Sequence, residues 1–86
     1  MTEYKIKVIE VKGRCDNGHR VGDEFTVKDA KTPGGICLSA FSAILPKLMA
    51  LMMGGDVLWS EDKDRDIIAC PDPKNAVVWE VRRIKN

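Results

Sequence analysis

The sequence predicts a small α+β domain, a mostly antiparallel sheet in β-β-α-β-β order packed on one apolar helix. Three observations predict it. Residues 3–12 and 76–84 carry the apolar-polar alternation of half-buried strands. A single apolar run from Cys37 to Met53 is too long for a strand and stops at Gly54-Gly55, as a helix does. Turn-forming clusters separate the remaining segments.

The first strand reads EYKIKVIEVK, with Tyr4, Ile6 and Val8 on one face and Lys5 and Lys7 on the other. Ile9 and Val11 break the phase, so either a bulge shifts the register there or Ile9 is covered on a second face. In the last strand Val77, Trp79 and Val81 share a face and Val78 sits opposite. Two strands that each want some cover on both sides read as neighbours in the middle of the sheet. Asp16-Asn17-Gly18 and Gly22-Asp23 are turns, after which Phe25 and Val27 begin a short strand with Thr26 and Lys28 outward. Thr32-Pro33-Gly34-Gly35 is a loop into the helix. Pro46 lacks an N–H and disfavours helical geometry at Leu45, which predicts a kink, or a helix over 37–45 followed by a second turn. Asp66 to Cys70 forms a third short strand, and Pro71 to Asn75 turns into the last.

The 86 residues make one domain, 1–86. A chain this small buries roughly 60–65% of its unfolded surface, so its stability is modest without a metal, a disulfide or a partner. The net charge of +1, from 14 basic and 13 acidic residues, offers no electrostatic case for nucleic acid. The apolar run is interrupted by Ser39, Ser42, Pro46 and Lys47 and is too short to span a membrane. The alternating N-terminus is not that of a signal peptide, so the expected compartment is the cytoplasm, where thiols stay reduced. The segment Leu38 to Met53 is apolar nearly all round, which predicts burial on several sides. One small sheet cannot supply that cover, so a homo-oligomer formed through this helix is an expected alternative, and its methionines suit either a soft core or an adaptable interface.

Cys15, His19, Cys37 and Cys70 account for every cysteine and the only histidine, and each lies at an element boundary. Cys15 and His19 bracket a turn as C-x3-H, Cys37 opens the helix, and Cys70 closes a strand. Three thiolates and an imidazole form a complete tetrahedral set for zinc, and soft thiolates also suit iron or an iron–sulfur cluster. No C-x2-C pair is present, so the fold must bring three distant segments together. A second reading uses Cys37 alone as a reactive or redox thiol, stabilised as thiolate by the helix N-terminus, with Cys15 or Cys70 as resolving partner. A third leaves the chain a non-catalytic interaction domain, the cysteines small buried hydrophobes and His19 a surface turn residue. Asp62, Asp64 and Asp66 alternate like an oxygen-ligand loop but lack the EF-hand glycine and closing glutamate, and read as a solvated loop. Trp59 and Trp79 read as core and rim rather than as a binding platform.

Taken together, C-x3-H-x2-GDEF (Cys15 to Phe25), GGIC (Gly34 to Cys37), the apolar helix before Gly54-Gly55 and ACPDPKN (Ala69 to Asn75) resemble an uncharacterised family of about 90-residue single-domain proteins of anaerobic bacteria and archaea. The likeness spans nearly the whole chain. It implies that Cys15, Cys37 and Cys70 belong to a family pattern of three motif cysteines. The position of His19 is less constant there, which implies a three-thiolate site with a variable or open fourth position.

Overall fold

Alternation decides the two central strands. In the computed structural model, which describes residues 3–15, 18–29, 31–59, 61–72 and 74–84, β1 runs Glu3–Val11 and β4 runs Val77–Ile84, side by side and antiparallel. Ile6 faces Val81 and Val8 faces Trp79, so the apolar sets of both strands fall on one side of the sheet, where all four side chains are fully buried. The register shifts between Val8 and Glu10, so a bulge resolves the phase break at Ile9 and returns Val11 to the buried side opposite Val77. Strand β2 (Glu24–Val27) pairs with β1 and β3 (Arg65–Ala69) with β4, both antiparallel, giving the order β2-β1-β4-β3.

Helix α1 (Leu38–Met52) is continuous across Pro46, so the predicted break into two pieces does not occur. Pro46 is exposed, and the backbone bond it forfeits lies on the wet side of the helix. The buried stripe is Ala40, Ile44, Leu48 and Leu51, four positions on one face. It packs against β4 and β3. The expectation of burial on several sides therefore fails: Leu38, Leu45, Met49 and Met53 are exposed. Gly54, at φ 87°, takes the left-handed conformation that ends the helix, and its N–H donates to the Leu51 carbonyl.

The acidic segment is not a solvated loop. Arg83 projects from β4 with its side chain only 9% exposed and ties that loop to the helix end. Its guanidinium donates to the carbonyls of Leu51 (3.0 Å) and Gly55 (2.9 Å) and to the carboxylates of Asp56 (3.0 Å) and Asp64 (2.8 Å). The Leu51 carbonyl in the last turn of the helix, which also accepts the Gly54 N–H, thus meets a cation, the charge that end of a helix favours. On the solvent face of the sheet Arg82 pairs with Asp62, and Arg65 and Arg82 both reach Glu80. Asp66 is buried on the helix side of the edge strand. It accepts from the Ile67 N–H (2.8 Å) and the Trp59 indole (3.2 Å), with Lys47 at 3.7 Å. Lys47 also lies 4.7 Å over the ring of Trp59, which is mostly exposed, whereas Trp79 is fully buried, so of the two it is Trp79 that belongs to the core and Trp59 to the rim.

Two outcomes follow from these ion pairs. Arg83→Ala removes four hydrogen bonds at once, of which those to Asp56 and Gly55 are exposed, and is expected to cost about 1–3 kcal/mol in a urea titration, with Arg83→Lys recovering only part of it. The Asp64 N–H and Arg82 hold the Asp62 carboxyl below its ordinary value of 3.8. Burial opposes the ionisation of Glu80, but Arg65 and Arg82 outweigh it and hold that carboxyl below 4.5. Both groups thus favour the folded state at neutral pH, and that contribution is lost as pH falls through their depressed folded values. The melting temperature is expected to fall below about pH 4.5, and to fall less steeply in Glu80→Gln.

Candidate thiol site

The site is assembled at the end of the sheet where β1 leaves, β4 enters and the helix begins. Beyond β1, the Lys12 N–H donates to the Ala76 carbonyl and the Arg14 N–H to the Asn75 side chain (2.9 Å), which lays this loop across the turn between β3 and β4. Gly13 permits the approach: it sits at φ 84°, in the left-handed region that favours glycine, and a Cβ there would crowd Asn75 Oδ1 and the Lys74 carbonyl. Asp16 and Asn17 of the predicted turn lie outside the described residues, but the Gly18 N–H donates to the Cys15 carbonyl across it (3.0 Å).

His19 follows, and it is not a surface residue. It is 7% exposed, edge-on to Trp79 at 4.9 Å and to Phe25 at 6.0 Å between ring centroids. Its Nε2 accepts the backbone N–H of Cys37 at 3.0 Å. An acceptor Nε2 on a neutral ring places the proton on Nδ1, which faces Asp23 Oδ2 at 3.8 Å. Asp23 Oδ2 is itself fixed by the Arg20 N–H (2.9 Å). The lone pair that would bind a metal through Nε2 is therefore already engaged. In this arrangement His19 positions Cys37 rather than standing beside it as a fourth ligand.

Cys37 is the N-cap of α1. Its carbonyl accepts the Phe41 N–H that starts the helix, no side chain caps the first turn, and no acidic residue lies in that turn. Cys70 follows β3 and is locked to Val77 in both directions: its N–H donates to the Val77 carbonyl (2.9 Å) and its Sγ accepts the Val77 N–H (3.2 Å). All three cysteines are half-buried and pack against the one buried core, and none forms a disulfide. Among the described residues, however, no three His, Cys, Asp or Glu side chains are gathered as a set able to hold a metal ion. The direct link between the sequence-chosen residues is the one from Cys37 to His19. Beside it, the fully buried indole N–H of Trp79 meets no hydrogen-bond acceptor among the described residues, a cost of about 1–3 kcal/mol where none is supplied.

No protein-family model matches the chain, nor does any curated protein or solved structure. Among the described residues, no helix is long and apolar enough to cross a membrane.

Sequence reasoning missed the burial of His19. The available signal was an aromatic residue at each of two distant positions, Phe25 and Trp79, which together wall the imidazole. Removing the ring leaves a cavity and an unpaired N–H at the helix start. His19→Ala is accordingly expected to cost about 2–4 kcal/mol by chemical denaturation, and His19→Phe less, since it fills the space but orphans the Cys37 N–H.

Proposed function

We propose that this chain is a small cytoplasmic thiol protein in which Cys37 is the reactive group. One observation carries the reading: Cys37 stands at the start of a 15-residue helix whose first turn has neither a side-chain cap nor an acid, with its amide fixed by His19. A thiolate in that position is stabilised by the helix N-terminus. It would attack one sulfur of a small disulfide, forming a mixed disulfide and releasing the other half as a thiolate. Cys15 or Cys70, on the same core, would then attack the Cys37 sulfur, close an internal disulfide and release the second half.

A second reading is a metal centre, zinc or iron including an iron–sulfur cluster, held by Cys15, Cys37 and Cys70. It is favoured by the backbone N–H that Cys70 Sγ already accepts, the kind of bond that supports a ligating thiolate. It requires the sulfurs to draw together from where they stand, and its fourth ligand would come from elsewhere than His19 Nε2. The resemblance of the motifs to a three-cysteine family of anaerobes supports either thiol reading.

One preparation separates them. Protein purified without oxygen is treated with limiting iodoacetamide, the labelled peptides are identified by mass, and bound metal is quantified in parallel. The proposal expects Cys37 to react about tenfold faster than Cys15 and Cys70, with metal well below one per chain. Stoichiometric zinc or iron that disappears in Cys37→Ala establishes the metal reading instead. Equal, slow labelling with no metal refutes both.

A further inference from the structure

One peptide unit at the thiol end of the sheet holds two cysteine-bearing segments. The Ala76 carbonyl accepts the Lys12 N–H (2.8 Å), and the N–H of the same peptide, on Val77, donates to Cys70 Sγ (3.2 Å). In a regular antiparallel rung that N–H would go to the Cys70 carbonyl, since the Cys70 N–H already donates to the Val77 carbonyl (2.9 Å). The Cys70 carbonyl is taken instead by the Asp72 N–H (2.9 Å), and the sulfur stands in its place. The sulfur is thereby turned from the end of β3 toward β4, the side on which β1 and its loop lie. Across the dimensions of one peptide, Lys12 N stands within about 8 Å of Cys70 Sγ.

The loop that follows Lys12 stays on the same turn. Gly13 packs on Asn75, the Arg14 N–H donates to Asn75 Oδ1 (2.9 Å), and Cys15 comes next. Cys15 and Cys70 are both half-buried, and both pack against the one core between sheet and helix. A disulfide needs the two Cα atoms within about 7 Å. Cys15 is the partner able to supply the last approach, because it belongs to no strand and lies between Gly13 and Gly18, both at positive φ. Cys37 is held differently: its N–H is engaged by His19 and its carbonyl by the Phe41 N–H, at the helix start and not on the turn.

We infer that Cys15 and Cys70 are a redox pair that closes a disulfide across the Ala76–Val77 peptide when the protein meets a small disulfide. One of the two thiolates attacks that disulfide, bonds to one of its sulfurs and releases the other half as a thiolate. The second thiolate attacks the protein-side sulfur, and the Cys15–Cys70 bond forms as the remaining half leaves. Two electrons pass to the small disulfide, and the two thiol protons pass to the two thiolates released. The pair goes beyond the reading of Cys37 and does not need it. Where Cys37 takes the first step, the same displacement carries its disulfide on to Cys15 and Cys70 and returns Cys37 as a thiolate. Once closed, the bond pins the loop after β1 to the end of β3 and restricts the unfolded chain.

Tryptic mapping tests it, because cleavage places the three cysteines on separate peptides, 15–20, 32–47 and 66–74. Reduced protein is incubated with oxidised glutathione, remaining thiols are blocked with iodoacetamide, and the digest is read by mass. The expected product, in the wild type and in Cys37→Ser alike, is 15–20 joined to 66–74. The oxidised protein is also expected to have a higher urea midpoint than the reduced protein, a shift that dithiothreitol reverses. A predominant link from 32–47 to either other peptide in the wild type overturns the pair while leaving Cys37 reactive. Glutathione retained on the cysteines with no internal link overturns it as well. The 15–20 to 66–74 link together with slow labelling of Cys37 supports the pair and overturns the reading of Cys37.

Discussion

Helix α1 is held at its two ends by side chains from other parts of the chain, and the thiol site depends on that. At its start the Cys37 N–H is taken by His19, an imidazole wedged between Phe25 and Trp79. At its end the Leu51 carbonyl is taken by Arg83, which also gathers Asp56 and Asp64. A 15-residue helix on a four-stranded sheet has freedom to slide or roll, because its buried stripe is apolar and non-directional. Directional bonds at both ends remove that freedom. They hold the helix over β3 and β4, with Cys37 at the end that also carries Cys15 and Cys70.

The two ends differ in kind. At the C-terminal end a cation meets carbonyls and carboxylates, a charge-assisted arrangement that fits the helix dipole. At the N-terminal end a neutral ring nitrogen satisfies the amide of the N-cap residue, one position before the helix proper. The N–H groups of the first turn therefore remain without a side-chain cap beside a thiol. A serine or aspartate at position 37 would cap that turn better. That a cysteine stands there is the local departure from helix preference on which the functional reading rests.

Much of the architecture was legible because it is periodic. Alternation in β1 and β4 identified the central strands and their buried faces, and the broken phase at Ile9 marked the bulge before its form was known. What was not legible depended on pairs distant in sequence. Arg82 and Arg83 meet Asp62 and Asp64 across about twenty residues, and nothing local to either segment marks the pairing. His19 sits among turn-forming residues and reads as surface, yet aromatics from β2 and β4 enclose it. The helix misled in the opposite sense: all-round apolarity reads as all-round burial, whereas the sheet covers one stripe. For the candidate site, the four residues could be picked out by type and boundary position, but spacing alone could not say that His19 would bind the Cys37 backbone instead of joining its sulfur as a ligand.

The hydrogen bond from Cys37 to His19 is the element on which this account turns, and nuclear magnetic resonance observes it directly. In uniformly ¹⁵N-labelled protein the account predicts a scalar coupling across the bond between the Cys37 amide nitrogen and His19 Nε2, with the ring proton on Nδ1 and the Cys37 amide protected from exchange. A His19 ring protonated on Nε2, uncoupled to Cys37, with that amide exchanging as in an open loop, would contradict it.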